Sequence, residues 1–248
     1  MTALPDHTSN RTAPHRPTEG PDNATLTGGS VPIAVWRLDN RDDPAAALAP
    51  DTRFASRLAS RLVLVYTDHG GAIVDFTQDP QFAYATAQAR RAYIPFGDTA
   101  TVADPDAMAT VGLIVVSWPP RPAIPTTRGA ADLFAACRRI MTADTWLIAA
   151  VRSALPGQPG ATFAEHAGTL LPASSEAGLA PVLQIVAVPT DGEGDAFLYH
   201  ATDAEAEAAR QRQPARHTGA SQHVDLLVFR NTRIPGGSKR TDGLPAHS

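Results

Sequence analysis

The sequence predicts one α/β domain in three layers, a mostly parallel sheet with helices on both faces. Apolar segments of strand length alternate with helical segments along the chain, the rhythm of a parallel sheet. Three of those strands, at 72–76, 111–117 and 145–151, are apolar on both faces, as strands with helices on either side must be. The 248 residues, 43% of them hydrophobic, are enough for one well-cored domain, and two small ones are also compatible.

Residues 1–29 are rich in Thr, Pro, Asn, Gly and His, and with 231–248 they read as disordered tails around a domain at 30–230. The ordered part opens with an apolar strand at 31–36. A helix over 51–66 follows, with Phe54, Leu58, Leu62 and Val65 on one face. A Gly-Gly turn leads into the strand at 72–76. Asp79 then reads as the N-cap of a helix over 80–91, with Pro80 at its first position, where the missing N–H costs nothing. The strand at 92–96 contains Pro95, which cannot donate to a ladder and argues for an edge. Strand 111–117, helix 129–142 and strand 145–151 come next. A helix over 162–177 stops at Gly178, and a strand at 181–188 follows. A polar, Ala/Glu/Arg-rich helix at 203–213 and a last strand at 223–230 complete the order.

Composition restricts the function classes. A net charge of −4 argues against a generally basic nucleic-acid clamp, though it leaves room for a local arginine patch; Lys239 is the only lysine. The arginines at 90, 91, 138, 139, 210, 212 and 216 are spread out and read as solvated helix faces. Cys137 is the only cysteine, so an intrachain disulfide and a cysteine-based zinc site are excluded, and its helical setting reads as a small buried thiol. Pro5, Asp6, His7 and Pro14 stand where a signal peptide needs an apolar core, and no apolar run approaches the ~20 residues of a membrane span. The expectation is therefore a cytoplasmic protein that does not enter a membrane.

Several motifs fall short. Gly192-Glu-Gly194 lacks the third glycine of a dinucleotide turn, with Phe197 in its place, and reads as a loop leading into a strand. His217 and His223 lack a third spaced ligand, so no metal is expected. Neither a P-loop nor a Gly-x-Ser-x-Gly elbow occurs. The run Pro119-Pro-Arg-Pro-Ala-Ile-Pro125 reads as a rigid loop after a buried strand, or as a polyproline ligand.

Taken in order, the segments from about Asp51 to Arg230 resemble the class I S-adenosylmethionine-dependent methyltransferases that modify amino groups of DNA bases or of guanosine in RNA. Thr67-Asp-His-Gly-Gly-Ala-Ile-Val-Asp75 resembles the family's lead-in to its first strand, closed by an acid. Arg90-Arg-Ala-Tyr-Ile-Pro-Phe-Gly-Asp98 resembles the second strand and its following acid. Leu113-Ile-Val-Val-Ser-Trp-Pro-Pro120 resembles the catalytic motif of Asp, Asn or Ser, then Pro-Pro and an aromatic. The segment 132–148 resembles the helix, turn and strand that come next, and 223–230 the closing strand.

The resemblance implies a Rossmann-like sandwich with an antiparallel last strand. It also implies S-adenosylmethionine as cofactor, near Asp75, Asp79, Asp98 and Asp104, with DNA or RNA as partner. Ser117 and a proline carbonyl of Pro119-Pro120 would accept hydrogen bonds from a target amine, while an aromatic ring stacks on the base. Asp104 and Asp106 would contact an adenine amine, or else form an ordinary turn.

The sequence departs from that pattern at two places. No glycine lies between Asp75 and Gly97, so the cofactor's glycine-rich turn is replaced by Phe76-Thr-Gln-Asp-Pro-Gln81. If Asp79 caps the next helix, its carboxylate occupies amides that an anionic ligand would use. Trp118 also intrudes between Ser117 and Pro119-Pro120, with Arg121 where the aromatic belongs. Trp118 then either stacks on a ligand or plugs the vacated base pocket. Three readings follow: a methyltransferase-like domain that has lost cofactor binding and serves a binding or structural role, an active amino-methyltransferase, or another Rossmann-like protein.

Overall fold

The computed structural model describes residues 31–39, 54–95, 110–120, 126–154, 159–190, 194–200 and 223–232, with backbone alone at 126–128 and 198–200. The expected tails, the helix at 203–213, and Asp98, Asp104, Asp106 and Arg121 lie outside the described residues. Eight strands, β1 (Ile33–Asp39), β2 (Ala72–Asp75), β3 (Ala92–Pro95), β4 (Val111–Trp118), β5 (Trp146–Val151), β6 (Leu179–Thr190), β7 (Ala196–His200) and β8 (Val224–Asn231), form one sheet. Among the described residues four helices accompany them: α1 (Ser56–Tyr66), α2 (Pro80–Ala89), α3 (Thr126–Ile140) and α4 (Phe163–Glu176).

The sheet order is β3-β2-β4-β5-β8-β6-β1-β7. Strands β1 to β6 share one direction, and β7 and β8 oppose them. The last strand is therefore antiparallel, as expected, and it lies between β5 and β6. The three strands read as buried on both faces are all interior, and the Pro95 strand is an edge. Several boundaries differ from expectation: β1 runs over Ile33–Asp39 instead of 31–36, α1 begins at Ser56 instead of 51, and α3 covers Thr126–Ile140 instead of 129–142. Strand β6 begins before Pro181, because a register shift between Pro181 and Leu183 accommodates the residue that cannot donate. Strand β8 continues to Asn231, one residue into the segment read as tail.

Local chemistry explains the helix ends. The Asp79 carboxylate accepts from the Gln81 amide and Pro80 occupies the first turn of α2. Helix α4 opens on a capping box, Thr162 with Glu165, and ends where Gly178 turns left-handed at φ 74°. Gly112 lets β4 pass close to α1, since a Cβ there would lie 3.1 Å from the Tyr66 carbonyl oxygen.

Each face of the sheet has its own core. Helices α1 and α2 cover one, with Leu58, Leu62 and Phe82 packed over Trp36, Ile73 and Leu113. Helices α3 and α4 cover the other, with Phe134 and Leu170 over Ile114, Leu147 and Phe229; the Phe134 and Phe229 ring centroids are 5.1 Å apart. Each fully buried Leu or Phe contributes roughly 1.5–3 kcal/mol. Cys137 belongs to this second core, and burial pushes its thiol up to about 12, which makes it a packing group, as its setting predicts.

The far end of the sheet is clamped through side chains. The Asp39 amide donates to Asp195 Oδ1 and the Gly194 amide donates to Asp39 Oδ2, each at 3.0 Å. Asp195 also receives Arg57 Nε at 3.0 Å and pairs with Arg61 at 3.6 Å. The Arg61 guanidinium lies 4.2 Å over the Phe197 ring, which meets Trp36 edge-on.

Candidate functional site

Open α/β sheets present their ligand-binding groups beyond the carboxyl ends of the parallel strands. Two strand exits there carry the described residues singled out from the sequence: β2 into α2, and β4 toward α3.

The β2 exit is closed by its own side chains. Asp75 is fully buried on the α1/α2 face. Its Oδ1 accepts from the Thr77 amide at 2.7 Å and the Thr77 hydroxyl at 2.6 Å, and its Oδ2 accepts from the Tyr93 hydroxyl at 2.9 Å. Burial raises the Asp75 carboxyl above its ordinary value, against the opposing pull of these bonds. Tyr93 is likewise raised by burial and by the adjacent Asp75 charge.

The turn continues in the same manner. The Asp79 amide donates to Thr77 Oγ1, the Gln81 amide to Asp79 Oδ1 at 3.0 Å, and the Phe76 amide to the Val115 carbonyl. Asp79 Oδ2 accepts from the Phe54 amide at 3.2 Å, tying the entry of α1 to the start of α2. Gln78 takes the left-handed conformation, φ 58°, which a glycine adopts without steric cost. A carboxylate-bearing cofactor needs free amides at this point. The amides of Thr77, Asp79 and Gln81 are already bonded to side chains, so these residues do not fit that end of S-adenosylmethionine.

The β4 exit is different. Ser117 and Trp118 are both buried, at 6% and 2% exposure. Pleating sends them to opposite faces. Ser117 lies beside Ala150 on the α1/α2 face, the face that holds Asp75, whereas Trp118 lies beside Val151 in the α3/α4 core. The Ser117 hydroxyl is buried and has no hydrogen-bond partner among the described residues. Trp118 donates through Nε1 to His166 Nδ1 at 3.2 Å. The Trp118-Pro119 peptide is cis, and Pro119 and Pro120 are half-buried.

The structure thus brings Ser117 to the same face as Asp75 and separates it from Trp118. Strand alternation carries this separation in the sequence itself, because neighbours in a strand cannot share a face. Tyr93, Thr77, Phe54 and His166 join these exits although none was singled out as a site residue; the first three lie in segments the sequence did mark, the second strand, the replaced glycine turn and the apolar helix face, whereas His166 had no signal. Among the described residues there is no group of three or more His, Cys, Asp or Glu side chains placed to hold a metal ion, and no helix long and apolar enough to cross a membrane.

No family model and no curated protein matches the chain. Solved structures with a similar chain trace include BacF from Bacillus subtilis in its apo form, at 12% identity and TM-score 0.35 over 71% of this chain; the match spans only 39% of BacF. The antibiotic-resistance methyltransferase Kmr is similar at 14% identity and TM-score 0.35, covering 70% of this chain and 93% of its own. A TehB-like SAM-dependent methyltransferase from Corynebacterium glutamicum is similar at 14% identity and TM-score 0.33, with 75% and 91% covered. Likeness at this level carries no argument about function.

Proposed function

We propose that this chain is a methyltransferase-like α/β domain with a degenerate cofactor site, serving a binding or structural role and binding S-adenosylmethionine weakly or not at all. The β2–α2 turn carries this reading. Asp75, Thr77 and Asp79 satisfy the amides that a cofactor carboxylate would use, and the Asp79 charge at the start of α2 repels a second anion there. Isothermal titration with S-adenosylmethionine and with its demethylated product tests it. The expected result is no saturable heat at micromolar concentrations. A sub-micromolar Kd, about −8 kcal/mol or better, overturns the proposal.

One observation favours a second reading, an active amino-methyltransferase acting on DNA or RNA. The Ser117 hydroxyl, without a partner among the described residues, stands at the carboxyl end of a central parallel strand, where an exocyclic amine would be received. Transfer of labelled methyl groups from S-adenosylmethionine to DNA or RNA, abolished in Ser117→Ala, would establish it. Trp118, turned to the opposite face, supports the plug over the stacking platform in either case.

A further inference from the structure

We propose that His166 is a proton-operated latch that holds Trp118, and with it the exit of β4, onto the first turn of α4. Three residues from three elements form a closed hydrogen-bonded ring. The Trp118 indole donates to His166 Nδ1 at 3.2 Å, and His166 Nε2 lies 3.0 Å from the Arg152 carbonyl oxygen. The Arg152 amide returns to the Trp118 carbonyl at 2.8 Å. An indole N–H only donates and a carbonyl only accepts, so one neutral tautomer satisfies both contacts: proton on Nε2, lone pair on Nδ1. Protonation places a hydrogen on Nδ1 as well. Two donors then face each other, and the indole N–H, buried between β4 and α4, loses its acceptor.

The other members of this ring are an indole and backbone groups, so His166 is its one ionisable member. Glu165, its neighbour on α4, bonds through its carboxylate to the Thr162 amide at 2.7 Å and hydroxyl at 2.9 Å, which hold its carboxyl below the usual range and keep it ionised. Arg152 contributes its permanent charge from the β5 exit. Trp118, Pro119 and Pro120 bring no charge from β4, and Thr162, Phe163, Thr169 and Leu170 bring none from the adjacent turns of α4. The latch neither needs a bound cofactor nor excludes one. What it controls is the seating of the β4 exit, with Ser117 at the preceding position.

The test follows the three indole N–H resonances by NMR from pH 8 to 5, Trp118 being assigned with Trp118→Phe. In the wild type the Trp118 signal should move in step with the ring protons of His166 as the pH falls. The signals of Trp36 and Trp146 should stay in place. In His166→Gln, whose side chain accepts and donates without titrating, the Trp118 movement should disappear. A Trp118 signal that ignores pH while the His166 ring titrates overturns the latch, as does movement of all three indoles together. Should His166→Gln fail to fold, the nitrogen shifts of the wild-type ring decide: a proton on Nδ1 at pH 8 overturns the latch, and a proton on Nε2 supports it.

Discussion

The exits of β2 and β4 lie two rungs apart on adjacent parallel strands, yet they treat their polar groups in opposite ways. At the β2 exit Asp75, Thr77 and Asp79 bond to neighbouring amides and hydroxyls, so the turn is complete without any ligand. At the β4 exit the Ser117 hydroxyl is buried without a partner among the described residues, while the next residue is bonded and packed. Burying a polar group without a partner costs about 1–3 kcal/mol, a cost the β2 exit avoids. The difference shows how two neighbouring strand exits at one end of a sheet can satisfy their polar groups to different degrees.

Three substitutions probe this contrast. Trp118→Ala removes the large ring of the β4 exit from the α3/α4 core and should destabilise folding by about 3–5 kcal/mol, measured by urea unfolding. A stable Trp118→Ala protein that has lost nucleoside or nucleic-acid binding would make the ring a ligand platform instead. Asp79→Ala removes the α2 cap and the acceptor of the Phe54 amide together, so a loss of about 1–3 kcal/mol is expected in the same assay. An unchanged midpoint would mean that the β2 exit is not held by its caps. Ser117→Ala should have the smallest effect, within about 1 kcal/mol and on the stabilising side, because it deletes an unsatisfied hydroxyl. A larger loss would reveal a partner for that oxygen and erase the contrast.

Much of the layout was legible in the sequence. Apolarity on both faces marked β2, β4 and β5 as interior, Pro95 marked β3 as an edge, and Asp79-Pro80 and Gly178 marked helix ends, since each signal is local and stereochemical. The resemblance supplied the antiparallel direction of β8. What escaped was long-range. Nothing in residues 33–39 says that they pair with β6 on one side and β7 on the other, and the strand after Gly194 was legible without its position. At the exits, the loss of the glycine turn was legible from Asp75 to Gly97, but its replacement by a Gln78 in the left-handed region was not. His166 reads as one more polar position on a helix. Its bond to Trp118 joins residues 48 apart, and no periodicity encodes that.

The position of β1 has a consequence for the birth of the molecule. The first described strand closes its clamp with Asp195 across 156 residues of chain. At about 5–20 residues per second of synthesis, its apolar Ile33-Ala-Val-Trp36 stretch stays without its sheet partners for roughly 8–30 s after it is made. During that interval the nascent fragment carries β1 without either of its neighbours, while β3, β2, β4 and β5 already have one another as neighbours in the sheet. The exposure of this apolar stretch is therefore concentrated in time, before β6 emerges.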